Sequence, residues 1–149
     1  MDVTFRLAVT SDVPAIVAML ADDQLGATRE TPQDVEPYEH AFSVIDGDPN
    51  QMLVVGESAG RVLATLQLTF LPGLSHRGAW RAQIEAVRVD ASARGEGVGE
   101  RLVRWAIGQA RVRDCALVQL TSNTSRTDAH RFYERLGFVA SHTGFKLAI

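Results

Sequence analysis

Hydrophobic and polar residues follow two different periods along the chain, and each period predicts its own kind of element. Apolar residues recur three and four positions apart after residue 12 (Val13, Ile16, Val17, Leu20) and again after residue 97, which is typical of one face of a helix. Short alternating or continuous apolar runs, bounded by turn residues, indicate strands instead. The patterns predict four helices, at 13–20, 31–45, 98–110 and 128–136, and seven strands, at 3–9, 52–56, 61–70, 81–90, 116–121, 138–142 and 144–148.

The order of these elements predicts the fold class. A strand, two helices and a hairpin come first, a strand–helix–strand–helix segment follows, and two short strands close the chain. Elements in this order form a mixed sheet with helices on both faces, which is an α/β or α+β domain. No repeat, low-complexity tract or linker interrupts the pattern, so we expect a single domain over residues 1–149.

Composition narrows the range of functions. The chain is 46% hydrophobic and 22% charged, as soluble globular proteins are, and no apolar run approaches the roughly 18 residues of a membrane span. The first residues lack the apolar segment of a signal peptide, and the single cysteine, Cys115, leaves no internal disulfide, so we expect a cytoplasmic protein. The four histidines lack metal-ligand spacing, which argues against a metalloenzyme.

The net charge of −3 is unevenly distributed along the chain. Residues 1–60 contain eleven acidic and two basic side chains, whereas residues 61–149 contain seven acidic and thirteen basic ones. This asymmetry suggests two partners of opposite sign; a solvated acidic surface is the alternative. Because no basic patch with interleaved aromatic residues is present, nucleic acid is not an expected partner.

A glycine-rich segment between the strand at 81–90 and the helix at 98–110 is the strongest candidate for chemistry. Residues 94–99 (RGEGVG) have three glycines at alternate positions, so backbone N–H groups can point at one spot. The start of the helix adds unsatisfied N–H groups and a positive dipole end, which favours a phosphate. The alternative is a turn that only joins strand to helix. Four arginines near the segment could neutralise phosphate charge: Arg88, Arg94, Arg101 and Arg104.

Two common nucleotide-binding folds do not fit this segment. A dinucleotide-binding loop needs a glycine where Glu100 stands. A P-loop needs a lysine after its last glycine, but the only lysine of the chain is Lys146. The phosphate ligand is therefore expected to belong to another class.

The segment resembles the phosphate loop of the GNAT superfamily of N-acetyltransferases, which is Arg/Gln-x-x-Gly-x-Gly/Ala after a strand. Residues 94–99 match it fully. Asn123 and the run 132–138 (FYERLGF) are similar to the second signature of the superfamily, Asn followed by Phe-Tyr-x-x-x-Gly-Phe. The resemblance extends over residues 3–148. It implies a mixed, mostly antiparallel sheet of six to seven strands with about four helices, and an N-acetyltransferase that uses acetyl-CoA and no metal.

The resemblance also implies which residues bind the co-substrate. The backbone of residues 87–89 would pair with the pantetheine arm like an added strand. Residues 94–99 would hold the diphosphate, and Asn123 would bond the pantetheine portion. The expected binding residues are therefore Val87, Arg88, Val89, Arg94, Gly95, Glu96, Gly97, Val98, Gly99 and Asn123.

Acetyl transfer to an amine also needs a base, an acid and an oxyanion stabiliser. By the strand period of two, Glu85 is expected to share a face with Val87 and Val89 and to serve as the base. The resemblance gives Tyr133 as the acid for the departing thiolate, and the oxyanion would meet the N–H of Val87. Alternatively, Glu85 is an exposed carboxylate that pairs with Arg81, and Tyr133 is an aromatic residue of the core.

The acceptor is expected to be a small cationic molecule with a primary amine. In the superfamily, the segment between the first strand and the hairpin builds much of the acceptor site, and here that segment is acidic. Two alternatives remain: a non-catalytic acyl-CoA-binding or regulatory module on the same fold, and an enzyme that acetylates protein N-termini or lysines. The resemblance also suggests a homodimer through the closing strands.

Overall fold

The computed structural model describes all residues, 1–149, and divides them into two compact units, Met1–Gln119 and Leu120–Ile149. The first unit contains a five-stranded sheet in the order β1-β2-β3-β4-β5, with only the β4–β5 pair parallel. Its strands are β1 (Thr4–Leu7), β2 (Gln51–Ser58), β3 (Arg61–Leu71), β4 (Arg81–Val89) and β5 (Leu117–Gln119).

Five α-helices connect the strands of the first unit, and two of them are single turns. They are α1 (Val13–Ala21), α2 (Gly26–Arg29), α3 (Glu36–Asp46), α4 (Ser75–Gly78) and α5 (Val98–Val112). The predicted helix at 31–45 begins later than expected, at Glu36, with Pro37 in its first turn. A proline is tolerated there because the first N–H groups of a helix have no partner within it.

The core lies on both faces of β3, the central strand. On one face the side chains of Leu66, Leu68 and Phe70 are at most 1% exposed, and the Arg113 guanidinium lies 4.0 Å from the centroid of the Phe70 ring. The other face is covered by α1 and α3, whose buried side chains pack against Val55 of β2. The helix layer of α1 and α3 is therefore fixed by apolar burial, the main stabilising contribution in such a domain.

The second unit contains α6 (Thr127–Arg135) and no strand. The aromatic side chains of Phe132, Tyr133 and Phe138 form edge-to-face pairs, with ring centroids 5.1 Å and 5.7 Å apart. After α6 the chain turns at Gly137, whose φ of 99° lies in the left-handed region that glycine adopts without strain.

Two parts of the predicted architecture are wrong. The sheet has five strands instead of six to seven, because residues 138–142 and 144–148 pair with no strand. The alternating pattern of this segment is real, but a strand also needs a partner for its backbone groups. Phe145 and Leu147 are instead 92% and 89% exposed. The helices number six rather than about four, since α2 and α4 lie where loops were expected.

Candidate active site

A β-bulge in β4 determines which way the candidate base faces. Glu85 is paired with Gln67 and Arg88 with Thr65, so two residues of β4, Ala86 and Val87, stand opposite one residue of β3. Ala86 has a φ of 54°, in the left-handed region that is unusual for a residue other than glycine. The extra residue shifts the alternation of side chains along the strand by one position.

The predicted face of Glu85 is therefore wrong. Cross-strand partners share a face of the sheet, so Glu85 lies on the face of Gln67 and Arg88 lies on the face of Thr65, which is the same one. Val89, paired with Ala64, lies on the opposite face. The period of two fails here because it assumes a regular ladder, which the bulge interrupts.

The sequence does contain a signal for this bulge. Polar side chains occupy alternate positions at 81, 83 and 85, but the next one is at 88. Two apolar residues, Ala86 and Val87, lie between them, and they are the two bulged residues. A break in the phase of the alternation is what one inserted residue produces.

The glycine-rich loop starts from a well-ordered turn. Residues 91–93 form a single 3-10 turn that is capped by Asp90: the Asp90 Oδ1 accepts hydrogen bonds from the Ser92 N–H at 2.9 Å and the Ser92 hydroxyl at 2.5 Å. These two bonds hold the pKa of the Asp90 carboxyl below its ordinary value, because they favour the charged form. Ala93 is fully buried and anchors the turn.

Two glycines of the loop adopt left-handed backbone conformations. Gly95 has a φ of 82° and Gly97, which caps α5, has a φ of 74°. A Cβ built at either position meets no heavy atom within 4 Å. The loop therefore presents open backbone at the start of a fifteen-residue helix, whose first N–H groups lack partners in the helix. This arrangement suits a phosphate group.

Two arginines next to the loop make ion pairs with the end of α1. Arg94 contacts Asp22, with 3.2 Å between Nη2 and Oδ2, and its side chain is 56% exposed. Arg88 contacts Asp23, with 3.1 Å between Nη2 and Oδ2, and its side chain is only 13% exposed. Of these two, Arg94 is the one accessible to a ligand.

The other two arginines expected near the phosphate have structural contacts. Arg101 donates hydrogen bonds to the carbonyls of Met1 and Val3, each at 2.9 Å. Arg104 contacts Glu100 one turn earlier on α5, with 2.9 Å between Nη2 and Oε1. Sequence proximity alone did not distinguish these arginines from Arg94.

In the second unit the candidate residues are Asn123 and Tyr133. The Asn123 Oδ1 accepts hydrogen bonds from the Ser125 N–H at 3.0 Å and the Ser125 hydroxyl at 2.7 Å, which holds the turn before α6. Tyr133 is half-buried between Phe132 and Phe138. The roles of Asn123 and Tyr133 toward acetyl-CoA stay predictions.

The comparison with known families decides the assignment. The model of the acetyltransferase (GNAT) family matches residues 16–138, which include the glycine-rich loop and both candidate catalytic residues. This chain is a GNAT acetyltransferase. The resemblance inferred from the two sequence motifs is thereby confirmed, as is the prediction of an enzyme of the N-acetyltransferase class.

Three known proteins show how the GNAT chain relates to others. It is 29% identical to the aminoalkylphosphonate N-acetyltransferase of Salmonella typhimurium over 97% of this chain and 90% of the relative. It is 32% identical to a "probable glucosamine 6-phosphate N-acetyltransferase 2" of Oryza sativa subsp. japonica over 97% of this chain and 84% of that relative. The crystal structure of a transcriptional regulator from Bacillus halodurans C-125 superposes with a TM-score of 0.95 at 47% identity, over 99% of this chain and 100% of that one.

Two further properties complete the description of this GNAT protein. No three His, Cys, Asp or Glu side chains are grouped so that they could hold a metal ion. None of its helices has the length and apolar composition that crossing a membrane requires.

Proposed function

We propose that this GNAT enzyme, acting as one domain over residues 1–149, transfers the acetyl group of acetyl-CoA directly to the primary amine of a small molecule. The observation that carries the proposal is the loop at 94–99, where two left-handed glycines open onto the start of α5. Arg94 would add an exposed positive charge for the diphosphate.

The acceptor is proposed to be an amine that also carries a phosphonate or phosphate group. The named relatives act on an aminoalkylphosphonate and on glucosamine 6-phosphate. The ammonium end of such a molecule agrees with the acidic segment that suggested a cationic acceptor. The negative charge of that segment is smaller than its sequence implies, because three of its carboxylates form ion pairs with arginines: Asp22, Asp23 and Glu30. The other three, Asp34, Glu36 and Glu39, are exposed and show no ion pair.

The chemistry begins with an amine that must lose its proton. An amine with a pKa of about 10.4 is neutral only about once in a few thousand molecules at pH 7. Glu85 is exposed at the bulge and would accept that proton, directly or through a water. Acetyl-CoA, when bound, supplies the acetyl thioester. A C–N bond forms to the acetyl carbon as its C–S bond breaks.

Two further groups would complete the transfer. The bulge takes Val87 out of the regular β3–β4 ladder, and its N–H would stabilise the negative charge that develops on the acetyl oxygen. Tyr133 would donate its hydroxyl proton to the departing sulfur. The pKa of a phenol is about 10 and that of a thiol about 8.5, so this transfer is slightly uphill but accessible.

A thiol-release assay tests the proposal. Acceptors would be an aminoalkylphosphonate, glucosamine 6-phosphate, a polyamine and a neutral amine, and we expect the highest kcat/KM for one of the first two. Tyr133→Phe should lower kcat about a hundredfold, the order of general acid catalysis, with an unchanged Kd for coenzyme A in calorimetry. Tyr38→Phe is the matched control: it loses only the hydrogen bond that the hydroxyl donates to Glu30 and the one that it accepts from the Thr31 N–H. Turnover of neutral amines alone would contradict the proposed acceptor.

A second candidate is an acyl-CoA-responsive regulatory role. It is favoured by one observation, the 47% identity to a protein described as a transcriptional regulator. Binding of coenzyme A without thiol release from any acceptor would support this candidate over the enzyme proposed above.

We also propose a homodimer that forms through residues 138–149. Val139, Phe145 and Leu147 are 81%, 92% and 89% exposed, and exposed apolar side chains in one segment favour an interface. Light scattering should give the mass of two chains, and a monomeric mass at the assay concentration would contradict this proposal.

A further inference from the structure

A row of polar side chains crosses four neighbouring strands on the face that carries Glu85. Gln51 of β2 is paired with Thr69 of β3, Thr69 with Gln83 of β4, and Gln83 with Gln119 of β5. Residues paired across strands share a face, and Glu85 lies two positions after Gln83 and so on the same face. The base and the amide row are therefore neighbours.

Hydrogen bonds give the amides of this row a direction. Gln119 Nε2 donates to Gln83 Oε1 at 3.1 Å. With its oxygen occupied in this way, the Gln83 amide turns its Nε2 toward Glu85 and donates to the Glu85 Oε1. The other oxygen of this carboxylate, Oε2, takes no part in that hydrogen bond, and because Glu85 is exposed we take Oε2 as the oxygen offered to an amine.

We propose that Gln83, held in place by Gln119, is the positioning residue for the Glu85 carboxylate. This inference rests on the proposed function, in which Glu85 is the base. An exposed glutamate has several rotamers of similar energy, and only some would bring its oxygen to the acceptor amine. The donated hydrogen bond selects one of them.

The absence of charge on the Gln83 amide is central to this role. An arginine would also orient a carboxylate, but its positive charge would pair with Glu85 and repel a cationic acceptor. Arg88 lies on the same face three residues further on, and its guanidinium contacts Asp23 at 3.1 Å. The site thus orients its base with an uncharged donor, while Arg88 on the same face is paired with another carboxylate.

A double-mutant cycle tests the inference with the full chain. In the native background, Gln83→Leu should lower kcat about tenfold, because a misplaced catalytic group costs rate, and should leave the KM for acetyl-CoA within about twofold. In the Glu85→Gln background the same substitution should have no further effect on kcat. Gln119→Leu should lower kcat by a smaller factor in the native background only.

The matched control is Gln51→Leu, which removes an amide from the same row. Gln51 accepts hydrogen bonds from Gln67 and Thr69 and has none with Gln83 or Glu85, so we expect native kcat. If Gln83→Leu lowers kcat by the same factor in the native and in the Glu85→Gln background, or if Gln51→Leu matches its effect, the inference is overturned while the proposed function stands.

A second measurement does not depend on turnover. The NMR signals of the Gln83 side-chain amide should shift in Glu85→Gln and in Gln119→Leu, and should stay in place in Gln51→Leu. Signals that are unchanged in Glu85→Gln would overturn the inference. A native protein that releases no thiol with any acceptor would refute the proposed function, and with it the role given to this hydrogen bond.

Discussion

Gly97→Ala is the sharpest test of the phosphate loop. Gly97 has a φ of 74°, and an L-residue pays roughly 1–2 kcal/mol for the left-handed conformation. A Cβ at this position meets no heavy atom within 4 Å, so a steric clash adds nothing and backbone strain is the whole effect. If the free loop relaxes to another conformation in the variant, binding must restore the strained left-handed backbone. That strain then reduces the binding free energy, and the Kd for coenzyme A should rise about 5- to 30-fold.

The chain provides a control in which the same glycine-to-alanine substitution should stabilise the protein instead of straining it. Gly108 lies inside α5, has no positive φ and also has open space around a built Cβ. Gly108→Ala should therefore raise the free energy of unfolding by roughly 0.5–1 kcal/mol and leave binding unchanged. Calorimetry with coenzyme A and denaturant unfolding measure both quantities. A Gly97→Ala protein with native Kd and native stability would refute the reasoning.

Two further predictions concern groups with perturbed ionisation. The Arg6 guanidinium holds the pKa of the buried Asp12 carboxyl below its ordinary value, so Asp12→Asn should lower the free energy of unfolding by about 2 kcal/mol near pH 7. Because the folded pKa is the lower one, this difference should be complete above the unfolded carboxyl pKa of about 3.9 and shrink as the pH falls through the folded value; an equal difference at pH 2 would contradict it. Burial raises the pKa of the Cys115 thiol, so its alkylation in the native protein should need a higher pH than in the unfolded chain. The same pH profile in both states would contradict this prediction.

The sequence was most informative where local chemistry determines the structure. The helix that became α5 has apolar residues at helical spacing, and Val98, Leu102, Val103 and Ala106 are indeed buried. The loop before it needs left-handed backbone, and the glycines at 95 and 97 adopt it. Both features are set within a few residues of chain, so the sequence pattern contains what is needed to predict them.

Predictions failed where the structure depends on partners distant in sequence. Arg101 was expected near phosphate, yet its guanidinium binds backbone carbonyls about a hundred residues earlier. Residues 138–149 alternate like strands but find no strand to pair with. Composition and spacing cannot show which of several arginines meets a carboxylate, because that choice is made by tertiary packing.

The ion pair between Arg94 and Asp22 has a consequence for how two ligands of opposite charge would affect each other's binding. An anion that draws the Arg94 guanidinium to itself leaves the Asp22 carboxylate uncompensated, and the end of α1 becomes more negative. Linkage between two ligands is reciprocal, so an ammonium group attracted to that carboxylate would in turn free Arg94 for the anion. If an anion bound to Arg94 and an ammonium group bound to Asp22, each would therefore raise the affinity of the other.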